Sequence, residues 1–274
     1  MSVIADAGRP GGSLRRIGGV AIRHWCVTRR SPRILDIAVW PVFNTLLYGS
    51  IAVYARDSGG GSASTRTVIS VVTGIVMWHV MYLAQNAVSN SFFHEIYTRQ
   101  LASLLTTPLR PAEWVLGAAL EGLIKVGVGV GAVTVASAVM FGVHVTDAGL
   151  AIAPVMALLL LTGWAMALIV VGVVMFLGSG TETLAWGLLL VIMPLSGVFY
   201  PVSVLPAVIR PISAVLPTTY AFNAARTVVD GSGSPWGSIG VAAVATAVLM
   251  AASFTFAVFS LRSFLRRGLI SKYT

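Results

Sequence analysis

Residues 67–94, TVISVVTGIVMWHVMYLAQNAVSNSFFH, run for 28 positions without an Asp, Glu, Lys or Arg. A helix crosses the hydrocarbon of a bilayer with about 20 apolar residues, so this stretch alone is long enough to span. Five more charge-free stretches accompany it, at 37–55, 126–146, 148–181, 183–209 and 231–261, each of at least 19 residues. Only 10% of the 274 residues are charged, 57% are hydrophobic and mean hydropathy is +0.88. Soluble domains carry about 25% charged residues, so this chain has too few to cover a water-facing surface. The composition predicts an all-α integral membrane protein with six transmembrane helices and excludes a soluble enzyme. The 34-residue stretch 148–181 exceeds one crossing and must contain a turn.

The basic residues set the orientation. Seven arginines precede the first span, Arg99 and Arg110 lie between the second and third, and four basic residues follow the last. These thirteen share one side, against four on the other (Arg56, Arg66, Arg210 and Arg226). The excess of Lys and Arg marks the cytoplasmic side and predicts both termini inside, as in a bacterial-type plasma membrane. No cleavable signal peptide is read in the Gly- and Arg-rich N-terminus. Residues 14–30 set Leu14, Ile17, Val20, Ala21 and Trp25 against Arg15, Arg16, Arg23 and Arg29, the pattern of an amphipathic helix lying at the inner interface. The net charge of +9 belongs to this arrangement rather than to a nucleic-acid surface, and one cysteine, Cys26, excludes a disulfide framework or a Cys-based zinc site.

The six helices make a single membrane domain over 1–274, and two connections are more than loops. In 94–113, Leu101, Leu104 and Leu105 recur at helical spacing before Thr107-Pro108 stops the helix, giving a short amphipathic helix on the cytoplasmic side between helices two and three. In 201–231, prolines at 201, 206, 211 and 217 break an apolar run. Broken apolar backbone at membrane depth needs protein or a cavity around it, so we expect re-entrant outer helices between helices five and six.

Polar residues inside spans are costly and usually face a bundle interior. On helix two, Trp78, Tyr82, Gln85 and Ser89 share one strip, with His79, Asn86 and Asn90 beside it. This face is expected to line a substrate path or a seam between two copies, opposed by Met193, Ser196, Phe199 and Tyr200 on helix five, where Pro194 would kink the helix. His79 and His94 have no second ligand pair at short spacing, so no metal site is expected. Glu121 and Lys125 stand i, i+4 in the favourable order, and Gly127-x-x-x-Gly131 would permit close packing. Arg226, near the outer headgroup level, is suited to a phosphate or carboxylate.

The run Leu195-Ser196-Gly197-Val198-Phe199-Tyr200-Pro201, then Leu205-Pro206, then Leu216-Pro217-Thr218-Thr219-Tyr220-Ala221 and Arg226, resembles the C-terminal signature of type-2 ABC transporter permeases. Glu95 followed by Leu104-Leu105-x-Thr107-Pro108-Leu109 and Gly117 agrees, while Thr98-Arg99 departs from the Gly-Ser/Thr of many members. The resemblance implies a permease subunit that exports an amphipathic substrate (a drug, lipid or lipid-linked glycan), powered by a separate ATPase. ATP and Mg would bind that ATPase, since this chain has no Gly-x-x-x-x-Gly-Lys-Ser/Thr loop. It further implies a second permease copy or a paralogue, and a groove on the ATPase that receives the inward helix through Glu95, Tyr97, Arg99, Leu101, Leu104 and Leu105 on their exposed faces. Glu182, in the second inward turn, is a further coupling candidate. An intramembrane lipid-modifying enzyme would need a catalytic constellation, and none is found; a passive channel would need a ring of charge or a filter-like run, which 201–231 lacks.

Overall fold

The computed structural model describes residues 10–30, 35–58, 65–98, 111–144, 149, 151–177, 181, 183–231 and 233–266. Its long helices are α1 (Pro10–Arg30), α2 (Asp36–Ser58), α3 (Thr65–Tyr97), α4 (Pro111–Phe141), α5 (Ala153–Leu177) and α6 (Thr183–Leu195). A 3-10 turn at Val202–Val204 leads to the short α7 (Arg210–Val215), then α8 (Pro217–Asp230) and α9 (Trp236–Arg266). Among the described residues there is no strand.

Five of these helices, α2, α3, α4, α5 and α9, are long and apolar enough to cross a membrane. The stretch read as a fifth of six spans forms α6, which has only 13 residues, about 20 Å at 1.5 Å per residue. Pro194 sits in its last turn, and Gly197 at φ 68° then bends the chain through Ser196–Tyr200. Glycine takes that left-handed conformation without a Cβ clash.

α3 and α5 are largely buried, whereas α2, α4 and α9 leave most of their surface exposed. α3 packs against α2, α4, α5 and α8, and α9 closes the far side of α5. Small residues set these distances. A Cβ on Gly163 of α5 would meet the Met81 carbonyl of α3 at 2.5 Å, and one on Gly122 of α4 would meet Ala87 at 2.9 Å. The expected Gly127/Gly131 pair plays no such part: a Cβ at either meets nothing within 4 Å. Gly122 and Gly129, two turns apart, occupy the face turned toward α3 instead.

α1 and α2 share the flank of α4. Gly117, in the second turn of α4, lies against Val20 and the Ile17 carbonyl of α1, while Gly129, halfway along, lies against the Ile37 carbonyl of α2. Two ends of the bundle follow. At the α1 end, Val20, Phe92, Phe93, Ile96, Trp114 and Phe264 cluster. At the α8 end, Ala52, Val68, Val72 and Val143 cluster, and α8 inserts Ala221, Phe222 and Ala225 into the main core. Pro211 and Pro217 fall in the first turns of α7 and α8, where a missing N–H leaves no bond unmade.

Candidate functional site

At the α1 end, one face of α1 returns Ser13, Arg16, Val20, His24 and Thr28 at helical spacing, and three acids from other helices receive it. Glu113 accepts bonds from Ser13 Oγ at 2.7 Å, Arg16 Nε at 3.0 Å and Arg16 Nη2 at 2.8 Å. The two arginine contacts form a fork, the strong geometry for a guanidinium–carboxylate pair. Glu95 is 0% exposed and takes Arg23 Nη2 at 2.9 Å and His24 Nε2 at 3.3 Å. The His24 ring also meets Trp114 edge-on at 5.9 Å between centroids. Glu121, equally buried, accepts from Thr28 Oγ1 at 2.9 Å and pairs with Lys125 Nζ at 2.6 Å.

The inward-segment candidates are therefore placed unevenly. Glu95, expected on an exposed face, is buried because the Arg23 and His24 side chains of α1 close over it. Tyr97 is the last residue of α3. Arg99, Leu101, Leu104, Leu105 and Glu182 lie outside the described residues. The two acids that α1 holds, Glu95 and Glu113, stand on either side of 99–110, at the end of α3 and the start of α4. One helix thus grips both roots of that segment.

The polar strip of α3 is split. Trp78, His79, Gln85 and Ser89 are buried inside the bundle. His79 Nδ1 bonds the Ile75 carbonyl at 2.8 Å, and Gln85 Nε2 donates to Ser89 Oγ at 3.1 Å. Tyr82 and Asn86 are half-buried and Asn90 is exposed, so only this i, i+4, i+8 row reaches a surface. On the opposing side Met193 packs on the core, and Ser196 is buried 2.5 Å from Thr218 Oγ1.

At the α8 end, Phe199 and Arg226 come together at a cleft of about 400 Å³. The start of α3 contributes Arg66, Thr67, Ser70 and Val71, α8 contributes Asn223, Arg226, Thr227 and Asp230, and Phe199 and Pro201 close it. Phe199 stacks on Tyr48 with centroids 4.5 Å apart. Arg226 Nη2 donates to the Tyr200 carbonyl at 2.8 Å, and the Tyr200 hydroxyl donates to the Pro194 carbonyl at 3.1 Å. Burial lowers the Arg226 pKa from its ordinary value, and the nearby Asp230 charge opposes that shift.

A family model described as ABC-2 type transporter matches residues 18–229. The chain belongs to that family. A search of curated proteins gave no match. ABC-2 permeases are membrane-embedded and typically work with an ABC ATPase. The match runs from within α1 almost to the end of α8, so it takes in Arg23, His24 and Thr28 of α1 and all of the cleft lining of this ABC-2 protein except Asp230, while Ser13 and Arg16 precede it.

Sequence reasoning missed Ser13, Arg16, Arg23, His24 and Thr28 as partners of buried acids, and Arg66, Thr67, Ser70, Asn223, Thr227 and Asp230 as neighbours of Arg226. A signal existed for the second group. Asn223, Arg226, Thr227 and Asp230 recur at i, i+3, i+4 and i+7, a polar face opposite Phe222 and Ala225.

Proposed function

We propose that this ABC-2 protein is the membrane subunit of an ATP-driven exporter, moving an amphipathic substrate from the cytoplasmic side outward with power from a separate ATPase. In this reading the α1 end faces the cytoplasm and the α8 end faces outward. The supporting observation is the gripping of both roots of 99–110 by α1. A segment that receives force from a partner needs roots that pass the force on, and a buried charge pair is costly to break. Glu95 then acts from inside, fixing the end of α3, while Arg99 and the leucines of the segment meet the ATPase groove. The basic residues of α1, α9 and Lys125 cluster at this end, which fits the positive-inside bias.

Six crossings are retained if α6 and the Ser196–Tyr200 bend together return the chain outward, with α7 and α8 as the re-entrant helices. Val204, Val208, Ile212 and Val215 are exposed along that segment, an apolar row suited to lipid. The exposed apolar flanks of α2, α4 and α9 are available to lipid and to a second copy or paralogue. The Tyr82–Asn86–Asn90 row is the part of the α3 strip that we assign to the substrate path.

The test is reconstitution. The tagged chain should retain its cognate ATPase through purification, and liposomes holding both should hydrolyse ATP faster than the ATPase alone. Failure to retain any ATPase, with no stimulated hydrolysis, would sink the reading.

A further inference from the structure

The α8-end cleft has a feature that the α1 end lacks: its polar groups are not used up by one another. Arg66 is exposed, and among the described residues the side chains of Arg66, Thr67, Ser70 and Asp230 make no hydrogen bond or close ion pair. Arg226 uses Nη2 on the Tyr200 carbonyl. Its other N–H groups, of the five a guanidinium carries, have no partner among the described residues. Every one of these side chains lines the same cleft.

We propose that this cleft is a binding site for a phosphorylated headgroup whose phosphate carries a hydroxyl-rich substituent, as in a sugar phosphate. Arg66 and Arg226 supply two guanidiniums, the group whose planar fork matches phosphate oxygens. Thr67 and Ser70 add hydroxyl donors at the start of α3. Asp230 would repel a bare phosphate and accepts hydrogen bonds, so it selects a ligand that brings donors next to its anion. Phe199, backed by Tyr48, offers an apolar ring face to the carbon side of a sugar. The cleft volume of about 400 Å³ sits at the small end of ligand sites, roughly 300–1,000 Å³. It accommodates one headgroup, not a polymer. Such a headgroup has two sources, a resident membrane lipid or the substrate of the export reading. The second source rests on that reading; the binding itself does not.

The experiment uses the full chain in phosphatidylcholine nanodiscs, titrated with glucose 1-phosphate, inorganic phosphate and glucose. Glucose 1-phosphate should bind about tenfold more tightly than either fragment, with each charge-assisted bond contributing on this scale. Arg66→Ala, at an exposed side chain in the first turn of α3, should weaken it at least about tenfold with an unchanged gel-filtration profile. Asp230→Asn should raise the affinity for inorganic phosphate and narrow the preference for the sugar phosphate. No measurable binding of glucose 1-phosphate, or binding indifferent to Arg66→Ala, overturns the proposal. Adding phosphatidylglycerol to the nanodiscs separates the sources: competition assigns the site to a lipid headgroup, and undiminished sugar-phosphate binding assigns it to transported material. Stimulation of an ATPase is read separately, so loss of the export reading leaves the binding result intact.

Discussion

The two ends of the bundle handle charge in opposite ways. At the α1 end, Glu95, Glu113 and Glu121 are all buried, and each is met by side chains from α1, with Lys125 adding a local partner for Glu121. At the α8 end, Arg226 and Arg210 spend hydrogen bonds on backbone carbonyls, of Tyr200, Leu205 and Ser203, and among the described residues no acid closes on either within salt-bridge distance. A buried carboxylate with its cations is an all-or-none contact, since removing one partner leaves a charge in a poor solvent. A guanidinium on carbonyls at a half-open surface is graded, because solvent replaces what a mutation removes. One end is built to stay joined, and the other tolerates rearrangement.

Five variants test that contrast. The largest effect should come from Arg23→Ala combined with His24→Ala, which leaves Glu95 buried without a cation. Loss of about 3–5 kcal/mol is expected, read as lowered thermal unfolding in detergent. Adding Glu95→Leu to that double variant should recover most of the loss, because the stranded charge is then gone. Arg16→Ala should cost about 2–3 kcal/mol, less than the first, since Ser13 Oγ still donates to Glu113 at 2.7 Å and Glu113 keeps that partner. Arg226→Ala should cost about 1.5–3 kcal/mol through the lost Tyr200 bond and leave ATPase retention unchanged. Arg210→Ala, at an exposed side chain, should fall within about 1 kcal/mol. If the outer substitutions proved as costly as the inner pair, the contrast between the ends would be wrong.

Charge-free runs located the long helices because a bilayer-length helix admits few charges, yet they misjudged the ends. The charge-free run covers 67–94, and α3 runs Thr65–Tyr97. It continues past His94 with the Arg23 guanidinium paired to Glu95 and the His24 ring beside it. In the same way α4 starts at Pro111, well before the charge-free run at 126–146, with Arg16 holding Glu113. These pairings join residues 71 to 97 positions apart, and no local pattern carries that information. The periodicity of α1 revealed that it has two faces, but not that Arg16 and Arg23 reach acids of other helices. On α3 the spacing put Tyr82 on one strip with Trp78, Gln85 and Ser89, which the structure splits between core and surface. Whether such a face is covered depends on α5 and α4, so Gln85 and Tyr82 looked alike and differ. The α6 stretch had the length of a span in sequence, but Pro194 and Gly197 cut its helix short.

Phe222 gives α8 a mechanical character. Its ring is 2% exposed and seated among core residues contributed by the long helices, and emptying such a seat costs about 3–5 kcal/mol. α8 is therefore riveted: any swing of α3 or α5 drags it along as part of the same rigid body. α7 has no such rivet, with Ile212 and Val215 facing outward, and it is laced to α8 across the extended Leu216, φ −79° and ψ 125°, by Thr219 Oγ1 on the Ser213 carbonyl at 2.7 Å and the Tyr220 hydroxyl on the Ala214 carbonyl at 2.9 Å. Those two bonds are what any turning of α7 against α8 would have to break.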